Sequence, residues 1–306
     1  MKTTTPHHTM IGNQSGPRLL ILAGVHGDEY EPIAAVRQLL KTIDAERLSG
    51  QVTLVPVVNH PAFQRVSRTG PDQLDLARTM PGREDGSITE QIAWETAKLI
   101  HDCDYLIDLH TGGLAMQISP LSGYLLHEDP NVLNLQRRMA TAFNLPIIWG
   151  TSPKLNGRTL SIARDANIPA IYAEWGGGTG CDPQGVSDYV NGCLNVMREL
   201  NMIHHPQPEN QARCRVEDHR YESGIFQKNY PAPHAGFFEP VVTLNDHVQP
   251  GDILGWVHSV AEDRSTAVRS VHQGIVILLR VIPSVNPGDC LSTVLEADGD
   301  GEFHYE

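Results

Sequence analysis

Two apolar segments of this chain end alike, each in a glycine-bordered turn that carries a histidine. The first runs Leu19-Leu20-Ile21-Leu22-Ala23-Gly24-Val25 and delivers His26, Gly27, Asp28 and Glu29; the second, Tyr105-Leu106-Ile107-Asp108-Leu109, delivers His110 ahead of Thr111-Gly112-Gly113. An unbroken apolar run suits a strand buried on both faces, and open α/β sheets carry their sites at the carboxyl ends of such strands. Two neutral imidazoles and a carboxylate are the donors a catalytic zinc takes, with its fourth position left to water. His26, Glu29 and His110 are therefore the candidate ligands of one zinc ion per chain. The bland reading stands beside this one. The chain has 15 histidines, most such residues are surface or core groups, and Glu29 could be a first-turn acid that complements a positive helix end.

The remaining segments between residues 19 and 203 alternate in type. Pro32–Leu40 has helical spacing of Ile33, Val36, Leu39 and Leu40, with Pro32 suited to a first turn. Gln51–Val58 reads as a strand, Thr89–Ile100 as a helix with Ile92, Ala93, Thr96, Leu99 and Ile100 on one face, Ala170–Ala173 as a strand, and Val186–Leu200 as a helix. Such alternation predicts an α/β fold: a mostly parallel mixed sheet with helices on both faces. A polar, proline-bearing stretch, His204–Gln211, is the best linker. Beyond it short β-type runs, Phe237–Val242, Ile253–Val257 and Gly274–Leu279, alternate with turns such as Gln249-Pro250-Gly251-Asp252. Residues 1–205 are thus expected to form the catalytic α/β domain. Residues 206–306 would form a small C-terminal all-β, barrel-sandwich-like domain with an acidic tail, Glu296–Glu302.

A formal charge of −13 argues against a nucleic-acid partner, since such surfaces carry basic stripes. The five cysteines are scattered and lack a C-x-x-C pair, as suits reduced thiols. No stretch approaches the eighteen or so apolar residues of a membrane span, and the first residues lack a leader's apolar core. The expectation is a cytoplasmic protein with a small-molecule partner, no membrane partner, and a homo-oligomer left open.

Three further residues and a neighbouring acid could carry chemistry. Glu174 ends an apolar strand before Trp175-Gly176-Gly177-Gly178, where a carboxylate is costly unless paired or at a site; it is a candidate general base or, alternatively, a partnered structural acid. Arg68 and Arg78 flank the Arg68–Gly82 loop and could stabilise an oxyanion or bind a carboxylate, although loop arginines are usually solvated. Asp108 shares a strand face with His110, two residues on, and could orient that ligand or simply bond a loop amide.

Taken together, Gly24–Glu31, Asn59-His60-Pro61-Ala62-Phe63, the Arg68–Gly82 loop, Asp108–Gly113, Glu174–Gly178 and Ala235–Pro240 resemble the succinylglutamate desuccinylase/aspartoacylase family of zinc-carboxypeptidase-like deacylases. The likeness is greatest to the branch containing N-acetyl-diaminobutyrate deacetylases. It implies zinc on His26, Glu29 and His110, Glu174 as base, Arg68 at the oxyanion and Arg78 on a substrate carboxylate. One departure stands out: the family pattern reads Asn-Arg at this point, and here Ala77 fills the Asn position. The β region also resembles biotinyl and lipoyl carriers, but these need a lysine at a hairpin tip. Lys228, the only lysine after Lys154, precedes the repeated turns, so carrier modification is rejected in favour of a lid or oligomer contact. The leading expectation is a zinc-dependent amidohydrolase that removes a short acyl group from an N-acylated amino acid or related amine. The alternatives are a zinc carboxypeptidase acting on peptides and a non-catalytic small-molecule binding protein.

Overall fold

In the computed structural model, residues 5–178, 180–226 and 229–296 are described. Lys228 and the acidic tail from 297 onward lie outside them. The chain begins with strands β1 (His8–Ile11) and β2 (Gln14–Leu22), helix α1 (Tyr30–Thr42), strand β3 (Ser49–Val55), and helices α2 (His60–Gln64) and α3 (Ile88–His101). Next come β4 (Tyr105–His110), β5 (Met116–Leu125), α4 (Pro130–Phe143), β6 (Ile147–Thr151), α5 (Thr159–Asp165), β7 (Ala170–Gly177) and α6 (Pro183–Glu199). The C-terminal part adds β8 (Cys214–Glu217), β9 (Gly236–Pro240), β10 (His247–Val248), β11 (Ile253–His258), β12 (Ser265–Arg269), β13 (Gly274–Arg280), β14 (Ser284–Val285) and β15 (Ser292–Glu296).

Residue alternation on the central strands explains the layering. Leu19 and Ile21 of β2, Ile107 and Leu109 of β4 and Ile171 and Ala173 of β7 face a core built with α1, α4 and α6. Their neighbours Leu20, Leu22, Leu106 and Ala170 face the opposite core with α3 and α5. Helices thus cover both faces, and the central stretches of these strands read as apolar runs because both of their faces are dry. The start of α3 is held by a capping box, with the Ser87 hydroxyl accepting from the Glu90 amide and the Glu90 carboxylate accepting from the Ser87 amide.

The sheet is parallel across β3, β2, β4 and β7, and antiparallel where β5 joins β7. The connection between β4 and β5 is too short to carry a crossover helix, so β5 returns antiparallel. Register breaks in β5 between Ile118 and Leu121, around Pro120, which has no amide hydrogen for the ladder. The break divides the strand's partners: residues before it pair with β13 and residues after it with β6.

Hydrogen bonding therefore crosses the division expected at residue 205. Strand β8 extends the main sheet beside β6, and β13 lies against β5 with β10 and β15 beside it. Only β12, β11, β9 and β14 form a separate four-stranded sheet. The segment before β8 has no regular structure, yet it is tied back to the first part: Asn144 Nδ2 donates to the Glu209 carbonyl (3.0 Å) and the Gln211 amide donates to Asn144 Oδ1 (2.7 Å). Gly274–Leu279, expected in a separate β domain, instead forms the bulk of β13, a strand of the main sheet.

Candidate metal and active site

His26 and Glu29 sit in the turn that follows β2, and His110 is the last residue of β4, directly beside β2. The turn can close this tightly because Gly27 has no side chain: a Cβ there would lie 2.1 Å from the Ala62 carbonyl carbon and the Phe63 amide nitrogen of α2. Glu174 on β7 is the register partner of His110, so the three adjacent strands β2, β4 and β7, with the turn after β2, deliver all four groups to one rim.

The nitrogen and oxygen donors of His26, Glu29 and His110 all lie within 4.8 Å of one another. Glu29, only 1% exposed, spans the two rings, with Oε1 2.6 Å from His26 Nδ1 and Oε2 3.0 Å from His110 Nδ1. The other nitrogen of each ring meets a different carboxylate: His26 Nε2 lies 3.2 Å from Asp75 Oδ1, and His110 Nε2 lies 3.0 Å from Asp108 Oδ2. With protons on both Nε2 atoms, as these partners favour, both Nδ1 lone pairs turn toward Glu29. Carboxylates behind the distal ring nitrogens fix tautomer and orientation in the manner zinc sites use. The donor chemistry and its support thus fit a zinc ion. Asp108, 1% exposed, also accepts from the Thr159 hydroxyl. Its place behind His110 agrees with the orienting role offered by its position on the strand.

Electrostatics concentrate here. Burial alone would push the Glu29 carboxyl up, but the two imidazoles outweigh it and hold it well below the usual range. Burial would likewise lower the His110 imidazole, yet Asp108 and Glu29 raise it above its ordinary value. Glu174 differs. Burial pushes its carboxyl up to about 8; His110 opposes this and Glu29 adds to it. Its Oε2 is buried without a hydrogen-bond partner. A buried carboxyl oxygen without a partner calls for an explanation, and a role at the site is one.

Arg68 is brought to the same place. Its Nε and Nη2 donate to Asp75 Oδ2 at 3.2 and 3.0 Å, and its Nη1 lies 4.0 Å from Glu29 Oε1. Asp75 therefore holds both the His26 ring and the Arg68 guanidinium, and its position three residues before Arg78 was the only sequence signal for it. Arg78 lines the same cavity, of about 240 Å3, with His26, Glu29, His110 and Glu174. Sequence reasoning also missed Arg158, Tyr172 and an apolar wall. Phe226, Leu278 and Cys290 of that wall come from the part of the chain beyond residue 205.

The succinylglutamate desuccinylase/aspartoacylase catalytic domain model matches residues 15–200. The N-alpha-acetyl-L-2,4-diaminobutyric acid deacetylase of Halomonas elongata is 30% identical over 296 residues, spanning 94% of this chain and 84% of the relative. Murein peptide amidase A of Vibrio campbellii is 28% identical over 182 residues, 53% of this chain and 70% of that one. Among solved structures, the product-bound ectoine utilization protein EutE (DoeB) of Ruegeria pomeroyi superposes with a TM-score of 0.87 at 26% identity, covering 96% of this chain and 89% of that one. A succinylglutamate desuccinylase from a Silicibacter species gives a TM-score of 0.86 at 26% identity, with 95% and 88% covered. The matched region contains both histidine-bearing turns and Glu174, and the likeness in fold extends over nearly the whole chain. This protein belongs to the succinylglutamate desuccinylase/aspartoacylase family.

Proposed function

We propose that this chain is a zinc-dependent amidohydrolase that removes a short acyl group from an N-acylated amino acid. The observation that carries the reading is the convergence of His26, Glu29 and His110, each ring backed by its own carboxylate, beside a Glu174 oxygen that has no partner. Zinc held by the three residues would supply Lewis acidity toward a carbonyl and toward water. Glu174 then takes the proton of the attacking water at Oε2 and returns it to the leaving nitrogen. Arg68, fixed by Asp75, faces the position where the carbonyl oxygen gains negative charge. Arg78 holds the carboxylate of the amino-acid part.

Substrate size follows from the walls. A cavity of about 240 Å3 is below the ~300–1,000 Å3 of sites for drug-sized ligands. Phe226, Leu278 and Cys290 complete it, so in this reading the residues after 205 act as a lid domain that admits one acylated amino acid and excludes longer peptides. The murein peptide amidase likeness keeps a peptidase as the second reading.

The test is a screen of zinc-loaded protein against N-acetyl, N-succinyl and N-formyl amino acids, with dipeptides and longer peptides alongside. Hydrolysis of small N-acyl amino acids, lost by roughly 10²–10⁴-fold in a zinc-replete Glu174→Gln variant, is the expected result. Efficient release of C-terminal residues from peptides, with no deacylation, would establish the carboxypeptidase instead. Binding without turnover of any of these compounds would leave the non-catalytic reading.

A further inference from the structure

Once the residues of the proposed mechanism have their places, one wall of the cavity is left without a role. The charged side chains that line the cavity all come from the turn after β2, the Arg68–Arg78 loop, the ends of β4 and β7, and the start of α5. The residues beyond 205 that reach it, Gly224, Phe226, Leu278 and Cys290, bring no charge. Ile118, Phe226, Leu278 and Cys290 belong to one packed cluster, and Met116 packs against it. The pairing of β5 with β13 builds this wall. Ile118 and Leu278 are register partners, and on its other side Ile118 pairs with Gly176, two residues after Glu174.

The wall is fixed and neutral. Phe226 stands edge-on to Trp149, with ring centroids 5.3 Å apart at 78°. Cys290 Sγ donates to the Phe226 and Asn229 carbonyls, 3.1 Å from each, which turns its one polar group toward the protein. Burial pushes the Cys290 thiol up to about 11, and it also raises the hydroxyl of Tyr172, whose ring packs on the same cluster. Both groups are therefore uncharged near neutral pH. A charged substituent pressed against such a surface loses its water and gains no partner. An aliphatic one gains about four-fold in affinity for each methylene buried.

We propose that Met116, Ile118, Phe226, Leu278 and Cys290 form an aliphatic subsite, so that the substrate of this chain carries an uncharged aliphatic group of about three to five carbons beside the amide that is cleaved. This subsite rests on the deacylase reading above and narrows its substrate class. Two parts of an N-acyl amino acid can supply the group, the acyl chain and the amino-acid side chain. In either case a substituent of the same size that ends in a carboxylate is a poor fit.

The experiment gives full-length, zinc-loaded protein two series of compounds. N-formyl, N-acetyl, N-butyryl and N-hexanoyl glycine lengthen the acyl chain; N-acetyl glycine, alanine, norvaline and leucine lengthen the side chain. Each is set against a charged counterpart of equal size, isocaproyl against succinyl and leucine against aspartate. Calorimetric binding to the Glu174→Gln protein gives a readout that needs no turnover. The expected result is a rise of about four-fold per methylene in one series until the wall is filled, and that series identifies the source of the group. Its charged counterpart should bind more weakly by on the order of 100-fold. Ile118→Ala enlarges the subsite and should move the optimum of that series to a longer chain, with circular dichroism to show that the protein is folded. Should the alanine protein not fold, Ile118→Val makes the same test with one methylene removed. Affinity that is flat along both series, charged counterparts that bind as well as the aliphatic ones, or an optimum unmoved in the folded variant would overturn the subsite. If the wild type hydrolyses none of these compounds the deacylase reading fails, while the binding series still decides the subsite.

Discussion

Glu217 on β8 gathers a cluster that fastens the C-terminal part of the chain to the α/β core. Its Oε1 accepts from the Tyr124 hydroxyl of β5 at 2.6 Å and from Arg137 Nε of α4 at 2.7 Å, while Oε2 accepts from Arg137 Nη2 at 2.7 Å. Substitution Glu217→Gln keeps the volume but removes the charge and the bidentate fit. Hydrogen bonds to charged groups contribute about 1.5–3 kcal/mol each when well shielded. Here the side chains are 36% (Arg137) and 22% (Glu217) exposed, so solvent screening reduces the sum, and a net loss of about 2 kcal/mol is expected. For a chain of this length that is a fall of about 4 °C in the thermal midpoint. Burial would raise the Glu217 carboxyl, but Arg137 and Tyr124 outweigh it and hold it below its ordinary value of 4.5. A depressed carboxyl contributes stability that is fully present above the unfolded value and lost as pH falls through the folded one. The gap in midpoint between wild type and Glu217→Gln, followed by circular dichroism, should be full at about pH 7 and shrink at about pH 3.5. A gap that is absent at neutral pH, or unchanged in acid, would refute the reasoning.

Three further outcomes are expected. Gly27→Ala forces a Cβ against the α2 backbone at 2.1 Å, so it should cost about 1–3 kcal/mol or more and displace the His26 turn; wild-type zinc content and melting temperature together would count against this. His110→Ala should leave the purified protein with little zinc by elemental analysis, and a full complement would remove His110 from the ligand set. Leu278→Ala, at a site 3% exposed, should cost about 2–5 kcal/mol and enlarge the cavity wall. If chemical denaturation gave a stability within experimental error of wild type, the packing of β13 on β5 would carry less than the structure implies.

The helical segments show how local the readable information is. The periods of α1, α3 and α6 were visible because their buried positions repeat every three or four residues on otherwise polar helices. The same signal exists for α4, where Asp129 caps the start, Pro130 takes the first turn, and Val132, Gln136, Met139, Ala140 and Phe143 are buried. It was obscured by Gln136, a polar residue on the inner face. The structure accounts for it: Gln136 Nε2 donates to the Leu125 carbonyl at 2.8 Å, and its Oε1 accepts from the Ala170 amide at 3.3 Å.

By itself the sequence determined the strands that read as continuous apolar runs, the glycines that let their ends turn, and the histidines and glutamates those ends present. All of these are properties of a few neighbouring residues. Tertiary structure alone decided which strands pair, because Gly274–Leu279 is equally suited to a separate β domain and to the edge of β5, and only the register break at Pro120 leaves β5 open to it. It alone placed Asp75 and Asp108 behind the two imidazoles and set Arg158 beside Arg78, eighty residues apart in the chain. Electrostatic support of this kind acts through space over a few ångströms. No pattern along the chain records it until the fold has closed those distances.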